Sequence, residues 1–195
     1  MISAIILAAG QSKRMGERNK LLLPVRGKTM VENIVDTVLS SNVDEAIVVL
    51  GHEAERVRNV LSDRPLQFVQ NPNYPQGMTS SIQCGVKGAD PNTQGLMICL
   101  SDMPLIQIDD LNQLLEHFYQ SVRLNRQAIV MPIFKGQRGH PVIFSSYYQR
   151  EILEHQEPNG CKTILQRNYR QVFDLEMGSD RLLRDIDTAK DYENI

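Results

Sequence analysis

The chain has 195 residues, 42% of them hydrophobic and 23% charged, with 21 basic against 23 acidic residues and a formal net charge of −2. That length suits one α/β domain over 1–195 with a full core, and the near balance of charge argues against a nucleic-acid surface or an anionic membrane as main partner. Cys84, Cys99 and Cys161 are odd in number and lack a C-x-x-C pair, so reduced thiols in a cytoplasm are expected in place of a zinc site or disulfide framework.

Ser3–Ala8 reads as a strand, β-branched and apolar, with no basic segment before it. Gly10 ends the apolar run early, so neither a signal peptide nor a spanning helix is expected. Thr29–Leu39 has Met30, Ile34, Val35 and Val38 on one helical face, and Thr29 with Glu32 has the T-x-x-E spacing of a capping box. Ala46–Leu50 reads as a buried strand, followed by a charged helix through Leu61. Leu66–Gln70 is a further strand, Met78–Val86 a short helix and Leu96–Leu100 an apolar strand. Leu111, Leu114, Leu115 and Phe118 mark a helix after Pro104. Ala128–Pro132 and Pro141–Phe144 read as strands around the polar turn Lys135–Gly139, a length that allows the second to run antiparallel. Helical segments fill much of 146–169, and Val172–Leu175 reads as a late strand. The alternation predicts a mostly parallel sheet with helices on both faces, and ligands then sit at the carboxyl ends of the strands.

The first strand ends in such a place. Residues 7–20, LAAGQSKRMGERNK, put three small residues, Ala8, Ala9 and Gly10, where the chain leaves the strand beyond Leu7. Small residues let backbone N–H groups approach an anion closely. Arg14 offers a forked guanidinium and Lys20 a mobile point charge to phosphate oxygens. The stretch is neither a P-loop nor a G-x-G-x-x-G fingerprint, since Gly10 to Gly16 has the wrong spacing. A solvated βα turn carrying two surface cations is the plain alternative.

Asp102 follows the strand Leu96–Leu100 directly and reads either as a turn cap or as a ligand for Mg²⁺, which takes one or two carboxylates together with substrate phosphates. Asp185-Ile186-Asp187-Thr188 supplies the second carboxylate. In an extended segment Asp185 and Asp187 share a face and Ile186 takes the other. Thr188 and Asp191 resemble an N-cap pair, placing Asp187 at the mouth of the last helix. Asp102 and Asp187 would together hold one ion, although both aspartates of the tail could simply cap that helix. Asn71-Pro72-Asn73-Tyr74-Pro75-Gln76-Gly77-Met78 is a turn ahead of Thr79-Ser80-Ser81, where hydroxyls and N–H groups could serve a ribose or phosphate, or merely cap. Gly136–Pro141 is a second flexible basic turn, and from composition alone its His140 is a surface histidine more often than a catalyst.

LAAGQSKRMG with KLLLP, NPNYPQGMTSSI, SDMPLI, GQRGHPVIF and DIDTAKDY, in that order, resemble the molybdenum cofactor cytidylyltransferases and related MobA-like nucleotidyltransferases over the whole chain. The guanylyl relatives carry LAGG and an acidic D-K pair, whereas Ala9 and Asn19-Lys20 stand here, as in the cytidylyl branch. The resemblance implies a Rossmann-like, three-layer, GT-A-like nucleotidyltransferase fold, mostly parallel with an antiparallel strand. It implies CMP transfer from CTP to the phosphate of molybdopterin, with release of pyrophosphate. The nucleotide would lie over Leu7, Ala8, Ala9 and Gly10 and over the turn holding Asn71, Gly77 and Ser81. Arg14, Lys20 and Asp102 would act in catalysis, and Asp102 and Asp187 would hold Mg²⁺. Gly139, His140 and Pro141 would receive the phosphorylated pterin, and a molybdenum hydroxylase would receive the product. A phosphomonoester is already mostly dianionic at neutral pH, so no base is required. A guanylyl donor, a sugar- or alcohol-phosphate acceptor, or a non-catalytic carrier of the cofactor remain as alternatives. A dinucleotide-dependent oxidoreductase lacks its glycine fingerprint and an acidic residue where Leu50-Gly51-His52 stand.

Overall fold

The structure is a computed structural model and describes residues 1–12 and 19–193. Its first strand, β1 (Ile2–Ala8), is apolar on both faces because it is an interior strand of the sheet. Ile2, Ala4, Ile6 and Ala8 face one core, whereas Ile5 points into the other, as the two-residue strand period requires. After a 3-10 turn at Lys20–Leu22 comes a small hairpin of β2 (Pro24–Val25) and β3 (Lys28–Thr29). Helix α1 (Met30–Leu39) then starts at Thr29, whose side chain accepts the Glu32 N–H while the Glu32 carboxylate accepts the Thr29 N–H. The capping box expected from the sequence is therefore formed, and it satisfies two of the N–H groups a helix start leaves without partners.

The chain continues through β4 (Glu45–Leu50), α2 (Ala54–Val60), β5 (Gln67–Gln70), α3 (Met78–Gly88) and β6 (Gly95–Leu100). Next come α4 (Ile108–Leu124), β7 (Ile129–Phe134), β8 (Gln137–Arg138), β9 (Val142–Ser145), α5 (Gln149–Glu154), α6 (Lys162–Arg167), β10 (Val172–Glu176) and α7 (Ala189–Glu193). The described residues form an eight-stranded sheet in the order β10-β7-β9-β6-β1-β4-β5, with β8 hairpinned onto β7. β1 pairs in parallel with β4 and β6, β5 with β4, and β10 with β7, whereas β9 runs antiparallel to both β6 and β7. This is the mostly parallel sheet with a reversed strand that the sequence predicts. β7 is longer than expected: Ile133 and Phe134 extend it and pair with Arg138 and Gln137. The two-residue turn Lys135-Gly136, both at positive φ, makes that hairpin possible.

Helices α1, α2 and α4 cover one face through Ile34, Val57, Leu111 and Phe118, and α3, α5 and α6 cover the other through Ile82, Val86, Ile152 and Ile164. Three layers result. Cys99 is buried in the first core, and Cys84 and Cys161 pack partly buried against the second, all three as free thiols. Among the described residues no helix is long and apolar enough to cross a membrane.

Candidate functional site

The cleft lies where the sheet's central strands end. β1 and β6 run in register, with Leu7 beside Leu100, so Asp102 leaves its strand level with Ala9. Ser101 ties the two strands by donating its hydroxyl to the Leu7 carbonyl at 2.6 Å. The His52 N–H reaches the Ala9 carbonyl at 3.2 Å and the Asn71 N–H the Leu50 carbonyl at 2.8 Å, so the ends of β1, β4 and β5 are laced together here. A cavity of about 560 Å³ opens over this edge, and Leu7, Ala9, Gly10, Tyr74, Gly77 and Ser81 are among the residues that line it. Lys20, Asp102, Asp185 and Asp187 supply charged groups to the same lining.

These charged residues come from three distant segments. The Ile186 N–H donates to the Asp102 carbonyl at 2.9 Å, pinning the two acidic stretches together. Ile186 itself is buried against Val25 and Met30, which leaves Asp185 and Asp187 on the cleft side, as alternation along an extended chain dictates. Thr188 and Asp191 cap the last helix: the Thr188 N–H donates to Asp191 Oδ2 and the Asp191 N–H to Thr188 Oγ1. Lys20 Nζ sits 2.8 Å from Asp187 Oδ1 and 2.7 Å from Asp102 Oδ2.

Burial works against the Lys20 ammonium, but the adjoining Asp102 and Asp187 carboxylates win and raise its pKa above the usual lysine value. Asp185 is pushed up, first by burial and then by the negative charges of Asp187 and Asp102. Among the described residues that line the cavity, three carboxylates thus face one lysine. Asp102 Oδ1 is buried with no hydrogen-bond partner among the described residues, a costly state for a carboxylate oxygen. Hard oxygen donors, one of them unspent, suit a divalent ion that completes its shell with phosphates and water. Among the described residues no group of three or more His, Cys, Asp or Glu forms a closed cage, so such an ion would need its remaining ligands from a substrate.

The other sequence-predicted residues fall around this centre. Arg14 lies outside the described residues. Ala8 turns its methyl into the α1 core, while Ala9 and Gly10 edge the cavity. Asn71 stands buried behind the wall, its amide nitrogen donating to Ser80 Oγ and Ser81 Oγ and its Oδ1 accepting the Asn73 N–H. The hydroxyls at the start of α3 are largely engaged. Thr79 bonds the Glu157 carbonyl, its N–H meets the Pro158 carbonyl, and Ser80 donates to the Asn73 and Gly77 carbonyls. Gly77 is at φ +110, and a β-carbon there would press on Pro158.

The Gly139-His140-Pro141 turn packs against the segment before Asp185. The His140 N–H donates to the Leu182 carbonyl at 2.8 Å, and a β-carbon on Gly139 would overlap that same oxygen. Burial pushes the His140 imidazole below its usual pKa, partly opposed by Asp102. Arg181 grips both oxygens of buried Asp110 at 2.9 and 3.0 Å and so holds this segment onto α4. Sequence reading did not single out Ser12, Ser101 or the Arg181–Asp110 pair. Ser101 alone carried a signal, standing between a strand end and Asp102.

A sequence model of the MobA-like NTP transferase domain matches residues 4–172, from within β1 to the first residue of β10. The chain belongs to the MobA-like NTP transferase family. Among its relatives, the nicotine blue oxidoreductase of Paenarthrobacter nicotinovorans is 28% identical over 191 residues, 97% of this chain and 93% of that protein. The bifunctional protein GlmU of Listeria monocytogenes serotype 4a is 34% identical over 157 residues, 79% of this chain, and the match spans 34% of GlmU's length. A Methanothermobacter nucleotidyl transferase, Mth528, superposes with a TM-score of 0.84 at 25% identity, covering 100% of this chain and 95% of that one. The Rv0371c protein of Mycobacterium tuberculosis H37Rv has the same TM-score at 23% identity, covering 99% and 95%. It shares the fold, and a complex of it with manganese has also been solved.

Proposed function

We propose that this MobA-like NTP transferase moves CMP from CTP to the phosphate of a molybdopterin-type pterin, releasing pyrophosphate, with the product passing to a molybdenum hydroxylase. The observation that carries this reading is the convergence of Lys20, Asp102 and Asp187 beside the Leu7–Gly10 turn. CTP is favoured over GTP by the LAAG form of that turn and by Asn19. Ala9 is 4% exposed, and a β-carbon on Gly51 would come within 2.7 Å of the Ala9 β-carbon.

In the reaction a phosphate oxygen of the acceptor attacks the α-phosphorus of CTP, and the bond from that phosphorus to the β-phosphate's bridging oxygen breaks. The acceptor arrives as a dianion, so the chain's task is to bring two anions together. Lys20 would contact the α-phosphate as charge develops, and Arg14 would hold the leaving pyrophosphate. Preorganised donors of this kind are each worth on the order of 10²–10³ in rate. Mg²⁺ fits Asp102 and Asp187, and when bound it would neutralise phosphate charge and align the oxygens. His140, kept neutral by its burial, would orient the pterin without adding charge.

Pyrophosphate release from purified protein, with Mg²⁺ and each pairing of CTP or GTP with a pterin, sugar or alcohol phosphate, tests the reading. Turnover with CTP and the pterin phosphate is expected, and turnover with GTP alone would overturn the branch assignment. The oxidoreductase name of the Paenarthrobacter relative favours a second reading, reduction of a heteroaromatic substrate. Consumption of a reduced nicotinamide by the protein, with no pyrophosphate release under any pairing, would establish that one instead.

A further inference from the structure

Lys20 occupies the place a cation would take between the two carboxylates. Its ammonium lies 2.7 Å from Asp102 Oδ2 and 2.8 Å from Asp187 Oδ1, and its side chain is 12% exposed. A magnesium ion holds carboxylate oxygens at about 2.0–2.1 Å. A divalent ion bridging these same two oxygens would sit close against a like-charged ammonium, and that repulsion favours the lysine's departure. Its backbone can stay where it is: the Lys20 N–H donates to Ser12 Oγ, and Asn19 caps the turn that Lys20 begins. The flexible four-carbon stem is free to re-aim the ammonium into the cavity that Lys20 already lines.

We propose that Lys20 is a placeholder cation. Before nucleotide arrives it neutralises Asp102 and Asp187 and keeps divalent ions from settling there alone. When a metal–triphosphate complex enters, the metal's charge takes over the carboxylates and the ammonium transfers to the phosphates. Metal and nucleotide then bind as one unit, and bare metal binds poorly. The second half rests on the triphosphate reading above; the first half does not.

The test is a Mn²⁺ titration followed by electron paramagnetic resonance, on wild type, Lys20→Met and Lys20→Arg, with and without CTP and no acceptor. Without CTP, Lys20→Met should bind Mn²⁺ about tenfold or more tighter than wild type, since a competing unit charge is gone. Lys20→Arg, which keeps that charge, should stay weak. With CTP the order should reverse, wild type binding Mn²⁺ more tightly than Lys20→Met. Unchanged or weaker Mn²⁺ binding by Lys20→Met in the absence of CTP would overturn the placeholder. Failure of CTP to promote Mn²⁺ binding in wild type would instead refute the triphosphate reading. As a check needing no variant, the Lys20 ammonium nitrogen resonance should shift with Mg²⁺ and CTP together. A shift of the same size with equimolar Mg²⁺ alone would also overturn the proposal.

Discussion

Replacing Asp102 with asparagine separates what the carboxylate does for folding from what it does for chemistry. At 2.7 Å from Lys20 Nζ, with the side chain 19% exposed, the gross attraction at an effective dielectric of 20 is about 6 kcal/mol. Little of this reaches the stability of the fold, because bringing both charges out of water offsets most of it. Two features reduce the loss further. Lys20 keeps Asp187 at 2.8 Å, so no unpaired buried charge is left behind. Removing one of three neighbouring carboxylates also relieves the repulsion that raises Asp185. Asp102→Asn should therefore change unfolding free energy by no more than about 1 kcal/mol. The transition state retains no such compensation, and kcat/KM for pyrophosphate release should fall by about 10²–10³, or ~2.7–4 kcal/mol. Urea unfolding and initial-rate assays on one preparation measure both. Wild-type transfer by Asp102→Asn would refute the role, and so would a fall in activity matched by a loss of several kcal/mol in stability.

Arg181→Ala leaves Asp110 buried without its forked partner. Because Arg181 is 33% exposed, a discounted loss of about 2 kcal/mol is expected in urea unfolding, partly restored in the double variant with Asp110→Asn. Gly139→Ala forces the turn away from the Leu182 carbonyl. Since that segment leads to Asp187, transfer should drop by about 10² with a stability loss of ~1–3 kcal/mol, read by the same two assays. Glu32 and Asp36 both feel burial raising their pKa, but hydrogen bonds from Thr29 and Arg64 to Glu32, and from Arg64 and Lys28 to Asp36, outweigh it and hold both below the ordinary values of 4.5 and 3.8. A lowered folded pKa means stability fully present above those ordinary values and lost as pH falls through the folded ones. Urea midpoints should hold to about pH 5 and then decline, less steeply in the Glu32→Gln, Asp36→Asn double variant.

Local signals were readable wherever a short stretch determines its own geometry. The Thr29–Glu32 box, the period of Leu111, Leu114, Leu115 and Phe118, and the alternation of Asp185, Ile186 and Asp187 each appear as the sequence predicts. What single-chain patterning could not supply was pairing between distant segments. β9 inserts between β7 and β6, a choice made by which apolar faces complete the two cores and not by any local pattern. The meeting of residues 102 and 186 joins segments far apart in the chain, through a backbone hydrogen bond and the burial of Ile186 against Val25 and Met30. The hydroxyls near α3 were ambiguous in sequence because Thr79 and Ser80 suit a ligand or a carbonyl equally; the loop at Glu157–Gly160 claims Thr79, and the Asn73 and Gly77 carbonyls claim Ser80.

The same comparison explains why the charged centre is recruited from so many places. A single strand end offers one outward carboxylate before the chain turns, and two on adjacent turns of one element would repel without a counter-charge. Taking Asp102 from β6, Asp187 from a segment hung on Ile186, and Lys20 from the turn after β1 lets each side chain be fixed by its own buried neighbour. The repulsion is then deferred to the cleft, where Lys20 offsets part of it and Asp102 Oδ1 is left without a partner among the described residues. An anionic substrate would be repelled by such a rim unless it brought cations of its own. A metal-bound triphosphate does so, whereas a nicotinamide dinucleotide, itself a diphosphate anion, does not need a metal to do its chemistry. That asymmetry is the physical reason to prefer nucleotidyl transfer over redox chemistry for this cleft.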